Sequence, residues 1–218
     1  MSSPHVFVRP ATALDAAAIG DIQVRTMRAA LVAALGKRLP ERVETELNSE
    51  NFARSWGQAI TSPPSPAHLV FSAVAEGSVV GFAALAPTAP QPLDEEDSAG
   101  PWDDDEAEDS EAESDDAEGG GELEGRGAGH SVVEVTALEV PPAYQRAGHG
   151  SRLIAAAASS AIEQGAAELQ IWVLAGDDAH TSFLTAAGFA PTGLRRDLQV
   201  GDDVVTQHCW HAFLNTEA

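Results

Sequence analysis

The sequence predicts a mixed α/β fold built on one sheet flanked by helices. Short stretches of alternating apolar and polar residues, rich in β-branched and aromatic side chains, recur along the chain and are typical of strands. Between them lie longer stretches whose apolar residues recur every three or four positions, as on one face of a helix. With 218 residues, 44% of them hydrophobic, the chain can bury the core of one domain. We therefore expect a single domain over residues 1–218.

The first part of the chain predicts a strand, two helices and a hairpin. HVFVRP is an apolar, β-branched stretch and predicts the strand. Helical periodicity covers residues 14–35, with Gly36 as the stop, and a second helix is expected over residues 42–60. The stretch HLVFSAVAEGSVVGFAALA predicts a hairpin that turns at Glu76–Gly77.

An acidic insertion of about residues 93–128 interrupts the domain. Seventeen Asp and Glu residues lie between Leu93 and Gly125, with no Lys or Arg among them. Such a segment cannot bury enough apolar surface to offset the entropy of ordering it, so we expect it to be disordered. Outside this run, 17 acidic residues face 12 basic ones, so the net charge of −22 belongs mostly to the insertion. A basic stripe for nucleic acid is not evident.

The rest of the chain predicts strand, helix, strand, helix and hairpin. HSVVEVTALEV is the first strand, and an alanine-rich helix follows over residues 151–164. A strand over residues 169–174 precedes a short helix that ends at Gly188. The closing hairpin turns near Gly201.

The stretch Gln145-Arg146-Ala147-Gly148-His149-Gly150 lies between the predicted strand and helix, where several phosphate-binding motifs occur. Glycine allows close backbone approach, and a helix N-terminus offers unpaired N–H groups to an anion. A dinucleotide fingerprint requires a third glycine where Leu153 stands, and both a Walker loop and a nucleophile elbow require residues that are absent here.

The pattern Q/R-x-x-G-x-G/A after a strand resembles the signature of the GNAT superfamily, the acyl-CoA-dependent N-acyltransferases. The resemblance extends over nearly the whole chain outside the insertion, and the segments QRAGHGSRL and SFLTAAGFAPTG look most like actinobacterial members. It implies a mostly antiparallel sheet with a V-shaped splay between two parallel strands, and acetyl-CoA as the co-substrate. It also implies transfer of an acetyl group to an amine by direct attack on the thioester.

The resemblance implies two sets of contacts with coenzyme A. Backbone N–H groups of the glycine loop would cradle the pyrophosphate, and the strand before it would pair with the pantetheine arm. We expect His149 to be a partly exposed turn residue and Arg152 a cation on the helix surface. The implied cofactor-binding residues are Leu138, Val140, Gln145, Arg146, Ala147, Gly148, His149, Gly150 and Ser151.

Acyl transfer to an amine is helped by a general base, because a free amine is mostly protonated at neutral pH. Glu134 lies eleven positions before Gln145, a spacing that resembles that of the catalytic glutamate of histone acetyltransferases. Glu139 is the second candidate. Strand alternation predicts that Glu134, Leu138 and Val140 share one face and that Glu139 points to the other.

One residue departs from the family pattern. Many members carry a tyrosine before the final Gly-Phe, as the general acid toward the leaving thiolate, whereas Leu184 stands here. Water or a hydroxyl such as that of Ser182 would then protonate the thiolate, or the thiolate would leave unaided. This departure keeps open an alternative function, that of an acyl-CoA-binding regulatory module without turnover.

The acceptor pocket is expected between the first two helices and the closing hairpin, where Arg195 and Arg196 are predicted to face solvent. His208, Cys209 and His211 are close in sequence, but strand alternation separates them, so no metal site is predicted. The expected partners are a coenzyme A thioester and an unidentified amine, with no nucleic acid and no membrane. The chain is expected to be cytoplasmic, as a monomer or a homodimer.

Overall fold

The computed structural model describes residues 6–88 and 131–214 of the chain. The acidic insertion therefore lies outside the described residues. The strands are β1 (Val6–Pro10), β2 (Leu69–Ala75), β3 (Ser78–Thr88), β4 (Val132–Glu139), β5 (Glu168–Leu174), β6 (Ala190–Val200) and β7 (Asp203–Phe213). The helices are α1 (Ala16–Leu35), α2 (Glu41–Glu46), α3 (Ser49–Thr61), α4 (His149–Glu163) and α5 (Asp178–Ala186).

The described strands form one seven-stranded sheet in the order β1-β2-β3-β4-β5-β7-β6. Every neighbouring pair is antiparallel except β4 and β5, which run parallel. Helix α4 is the crossover between these two strands, because parallel neighbours cannot be joined by a tight turn. The predicted mixed α/β fold, with one parallel pair in a mostly antiparallel sheet, is confirmed.

The predicted helix over residues 42–60 was wrong as a single element, because it divides into α2 and α3. Asn48 lies at the break, and its side-chain oxygen accepts hydrogen bonds from the backbone N–H groups of Glu50 and Asn51. Asn is one of the preferred helix N-caps, so the stretch Asn48-Ser49-Glu50 carries a start signal in the middle of the apolar periodicity.

The two faces of the sheet pack differently. On the face covered by α4 and α5, one large cluster contains Leu153, Leu184 and the inward side chains of β2 to β5. The α1 face has two smaller clusters, one around Ile19, Ile22 and Phe82, and one around Val24, Val200 and Val205 with the end of α1. The α1 face is therefore not a continuous apolar layer.

Within the described ranges, no helix is both long and apolar enough to cross a membrane.

Candidate active site

A tight loop joins β4 to α4 and contains the glycine motif. A single 3₁₀ turn, Pro142–Tyr144, opens the loop, and the Gln145 side chain donates a hydrogen bond from Nε2 to the Val140 carbonyl at 2.8 Å. Arg146 and Gly148 both have positive φ, 62° and 79°. The left-handed conformation favours glycine at 148, and at Arg146 it is uncommon for a residue with a side chain.

Six consecutive backbone N–H groups in this loop and the first turn of α4 donate to no acceptor among the described residues. The first intrahelical bond of α4 runs from Arg152 N–H to Gly148 O at 3.2 Å, whereas the Gln145 N–H is bonded to Pro142 O at 3.3 Å. An array of unpaired N–H groups at a helix N-terminus attracts an anion. The six groups belong to Arg146, Ala147, Gly148, His149, Gly150 and Ser151.

Glycine is required at positions 148 and 150 for different structural reasons. Helix α4 begins at His149, so Gly148 is its N-cap and Gly150 lies in its first turn. A Cβ at Gly148 would lie 2.7 Å from Arg152 Nη1, whereas one at Gly150 would lie 3.3 Å from the Phe183 ring of α5. Gly150 therefore allows α4 and α5 to pack closely, in addition to any ligand contact.

The expectation that His149 is partly exposed was wrong, because α4 begins earlier than predicted and turns this side chain inward. The residue is 4% exposed, and its Nδ1 has no hydrogen-bond partner among the described residues. Burial, with a smaller effect of the Arg152 charge, lowers the pKa of His149. The exposed Arg152 donates from Nη1 to the Ala147 carbonyl at 3.1 Å.

Strands β4 and β5 separate part-way along their length. Their parallel pairing covers only Val132–Val135 against 168–171, and beyond it β4 remains paired with β3 alone. The β5-facing edge of β4 is therefore open from residue 136 onward. The Val140 N–H, at the end of this edge, donates to no described acceptor. The V-shaped splay implied by the resemblance is confirmed.

The prediction that Glu134 and Glu139 point to opposite faces was wrong. The β3–β4 register shifts because Ala84 pairs with Ala137 but Leu85 pairs with Val135, which leaves Thr136 as an extra residue. Such a β-bulge inverts the alternation beyond it. Before the bulge the odd-numbered residues of β4 pack into the α4 cluster, whereas after it Leu138 and Val140 do. Both glutamates therefore point toward α1.

The two glutamates have different surroundings. Glu134 lies where β4 and β5 are still paired, and its Oε2 accepts a hydrogen bond from Gln170 Nε2 at 3.3 Å. Glu139 lies at the open end of β4. Burial raises the pKa of Glu139 to about 7, the Asp177 carboxylate adds to the rise, and the Thr26 hydroxyl on α1 partly offsets it. A carboxyl with such a pKa exchanges a proton near neutral pH.

In α5, Leu184 occupies the position where many members of the superfamily carry a tyrosine, and no described hydroxyl group takes its place. Leu184 is fully buried in the α4 cluster, and the neighbouring Ser182 is exposed. Tyr144 is 41% exposed in the loop after β4.

Arg195 and Arg196 do not share an environment. Arg195 is exposed, as predicted, and its side chain forms no hydrogen bond or ion pair with the described residues. Arg196 is exposed as predicted too, but its guanidinium carbon lies 4.3 Å from the centre of the Trp172 ring, and its Nε donates to Gln207 Oε1 at 2.8 Å. This packing was not predicted, because it joins residues on two strands that are not neighbours in the sheet.

The C-terminal histidines and cysteine are divided between the faces, as strand alternation predicts. His208 lies opposite Val173 on the α4 side, whereas Cys209 lies opposite Trp172. His211 is within 2.9 Å of a Glu168 carboxylate oxygen. Among residues 6–88 and 131–214, no three His, Cys, Asp or Glu side chains are grouped as a metal site.

The sequence also matches the acetyltransferase (GNAT) family over residues 30–189, which is most of the chain and includes the loop and the splayed strands. The chain belongs to the GNAT family. Membership supports acetyl transfer from an acyl-CoA as the general activity of this GNAT chain. No curated protein matches its sequence.

Solved structures share the GNAT fold with this chain at low sequence identity. Arabidopsis thaliana NAA60 in complex with a bisubstrate analogue superposes with a TM-score of 0.61 at 13% identity, covering 96% of this chain and 99% of that one. Salmonella typhimurium yncA with acetyl-CoA gives 0.58 at 17% identity and covers 100% and 97%. The Thermoplasma acidophilum PaiA N-acetyltransferase in complex with coenzyme A gives 0.55 at 14% identity and covers 98% and 99%.

Proposed function

We propose that this protein transfers the acetyl group of acetyl-CoA to an amine of a small molecule or peptide by direct attack. The observation that carries the proposal is the row of six unpaired N–H groups beside the open edge of β4. The N–H groups from Arg146 to Ser151 bind the pyrophosphate, aided by the positive end of the α4 dipole. The Gln145 N–H is already bonded to Pro142, so the Gln145 side chain shapes the loop and the cradle begins at Arg146.

The pantetheine arm lies in the splay between β4 and β5. There it takes the place of a missing strand neighbour, and the backbone of Leu138 and Val140 pairs with it. The unpaired Val140 N–H supports this placement. A backbone N–H at this edge also stabilises the negative charge that develops on the thioester oxygen.

Glu139 is the better-supported general base, and Glu134 is the second candidate. Glu139 lies at the open end of β4 with a pKa of about 7, so at neutral pH a large fraction can accept a proton from the attacking ammonium. The neutral amine attacks the thioester carbonyl, the C–S bond breaks, and the products are an amide and coenzyme A thiol. Glu134 is engaged with Gln170 where the strands are still paired.

The thiolate leaves without a tyrosine acid. Leu184 has no proton to donate, and a thiolate with an ordinary pKa near 8.5 is a tolerable leaving group that takes its proton from water. Leu184 is also the observation that favours the second candidate function, a module that binds acyl-CoA without turnover.

The remaining expectations also stand as proposals. We place the protein in the cytoplasm, as a monomer or homodimer without nucleic-acid or membrane partners, and take residues 1–218 as one domain with an acidic insertion. The mild net charge outside that insertion supports the absence of a nucleic-acid partner. The resemblance to actinobacterial members rests on the segments around Gly148 and Gly188.

The test is calorimetric titration of acetyl-CoA into wild type and Gly148→Glu, followed by a free-thiol assay with a panel of amines, amino acids and peptides. The new carboxylate lies in the amide cradle and close to Arg152, so we expect affinity to fall by at least about 100-fold. Gly165→Glu is the matched control, because Gly165 also has a positive φ, 76°, but lies at the other end of α4.

The outcomes separate the two candidate functions. Binding that is lost only in Gly148→Glu, together with thiol release for some acceptor, supports the acetyltransferase. Binding without release for any acceptor would favour the regulatory module. Equal loss in both glycine variants, or no binding by wild type, would contradict the assignment of the loop to coenzyme A.

A further inference from the structure

A group of polar side chains lies between the two apolar clusters of the α1 face. Glu134, Gln170 and Trp172 point to this face, because their neighbours Val133, Val135, Ile171 and Val173 pack into the α4 cluster. Trp172 is the first residue of β5 beyond its pairing with β4, so it lies at the start of the splay. Any acceptor that reaches a thioester in the splay from the α1 side passes these residues.

Arg196 is held in place at this surface although it lies on the edge strand. Its Nε bonds to Gln207, and its guanidinium lies over the Trp172 ring. These contacts leave both terminal nitrogens, Nη1 and Nη2, without a partner among the described residues. Two contacts thus orient the guanidinium of Arg196, while its two-pronged donor edge is unused among the described residues.

Trp172 offers a second unused donor at the same place. The residue is 8% exposed, and its Nε1 is buried with no hydrogen-bond partner among the described residues. A buried indole N–H without an acceptor is costly, so a ligand oxygen that reaches it after a small rearrangement would gain more than at an exposed site. The unused donors of Arg196 and Trp172 at one aromatic ring indicate an anionic ligand group.

The charges nearby limit which anion this surface accepts. Arg196 brings a positive charge to this surface, whereas Glu134 and Glu139 point to the same face of the sheet and Asp177 lies close to Glu139. A single guanidinium matches the single charge and planar shape of a carboxylate. A phosphate carries more charge, which the carboxylates of the protein would repel.

We propose that Arg196 and Trp172 bind a carboxylate of the acceptor, so that the substrates of this enzyme are amines that also carry a carboxylate group. The ammonium end of the acceptor then lies toward the glutamates of β4, and its carboxylate end toward the closing hairpin. This inference rests on the proposed acetyltransferase function, and it assigns the substrate class of that site.

The test measures kcat and KM for pairs of acceptors that differ only in the carboxylate. α-Amino acids, ω-amino acids and dipeptides are each compared with their carboxamides, using wild type, Arg196→Gln and Arg195→Gln. We expect wild type to prefer the carboxylates. Arg196→Gln should raise KM for them at least about tenfold, the loss expected for a charge-assisted hydrogen bond, and change the carboxamides less than about threefold.

Arg195→Gln is the matched control, because Arg195 is the adjacent arginine, is exposed and points to the other face. It removes the same charge from the protein and should leave both classes of acceptor unchanged. Trp172→Phe keeps a ring beneath Arg196 but removes the N–H, and we expect a smaller loss that is again confined to the carboxylates. Arg196→Lys should restore only part of the preference, since an ammonium lacks the planar fork.

The failures are distinguishable. Acetyl-CoA binding without turnover of any acceptor contradicts the proposed function itself. Turnover with no preference for carboxylates, or equal effects of Arg196→Gln and Arg195→Gln, leaves the acetyltransferase in place and overturns this inference alone.

Discussion

The two faces of the sheet offer different kinds of binding group, backbone amides on one face and side chains on the other. On the α4 face the apolar core is continuous, and most of the unpaired groups found among the described residues are backbone amides, those of residues 146–151. On the α1 face the apolar core is divided into two clusters, and the unpaired groups are side chains, those of Trp172 and Arg196. A backbone cradle serves any chain that keeps the loop conformation, whereas a side-chain surface changes with each substitution. We therefore expect the α4 face to determine the cofactor and the α1 face to determine the acceptor.

The α1 face also contains two carboxylates with opposite environments. Asp15 is 5% exposed and has charged and polar partners: Arg9 at 2.6 Å, and Thr12 and the Ser72 hydroxyl within hydrogen-bond distance. Its hydrogen bonds with Arg9 lower the pKa of Asp15 to about 2, against a cost of burial. Glu139 is partly buried and forms no ion pair with a described cation, and burial raises its pKa to about 7. Asp15 is thus a carboxylate that stabilises the fold, whereas Glu139 can exchange a proton near neutral pH.

The largest effect that we expect in this comparison is on turnover. Glu139→Gln should lower kcat by about 100-fold or more, because a positioned general base contributes on that order. Acetyl-CoA affinity should stay unchanged, since the α4 face is intact. In wild type, kcat/KM should rise about tenfold per pH unit below pH 7 and level off above it, as Glu139 deprotonates.

Glu134→Gln distinguishes the two candidate bases. Glutamine can still bond with Gln170, so the paired part of β4 and β5 is preserved. If this variant instead loses most of its kcat while Glu139→Gln keeps it, Glu134 is the base and the assignment of Glu139 is wrong.

The next effect is on folding stability at Asp15. Asp15→Asn should lower the free energy of unfolding by about 2 kcal/mol at pH 7, the value of a shift from 3.8 to about 2. A depressed carboxyl pKa stabilises the fold above the unfolded pKa, so in wild type this contribution is lost as pH falls from about 4 to 2. Urea unfolding across this pH range measures both.

Asp21→Asn is the control for Asp15. It removes the carboxylate of a surface pair, in which Arg25 lies 2.8 Å away and both side chains are more than half exposed. Such a pair contributes about 0–1 kcal/mol. Similar losses in the two variants would show that Asp15 has no special role on the α1 face.

A second effect on folding stability has the opposite sign. A carboxyl whose folded pKa is raised binds more protons in the folded state between about pH 4.5 and 7, so stability falls as pH rises through this window. Glu139→Gln should therefore be more stable than wild type at pH 8, by about 3 kcal/mol, and no more stable at pH 4. Thermal or urea unfolding at the two pH values measures this, and a variant that is less stable at pH 8 would contradict the raised pKa.

Much of the fold could be predicted from local patterns. The strands around Val133 and Ile171, the alanine-rich helix and the closing hairpin each have a clear periodicity, and the glycine loop has a recognisable spacing. The split of α2 from α3 had a signal in Asn48, but apolar periodicity on both sides of it favoured one helix. The bulge at Thr136 had no such signal. It arises from pairing with β3, and the acidic insertion separates β3 from β4 in the sequence.

The sequence by itself determined the class of fold, the family and the loop that we assign to coenzyme A, because these depend on backbone conformation and on residues close together in the chain. Only the tertiary structure decided which glutamate lies at the open end of β4, that His149 is buried, and that Arg196 rests on Trp172. Those properties depend on a register shift and on contacts between distant strands. A local pattern of residues contains no information about either, since burial and charge at a site are set by whatever the folded chain brings there.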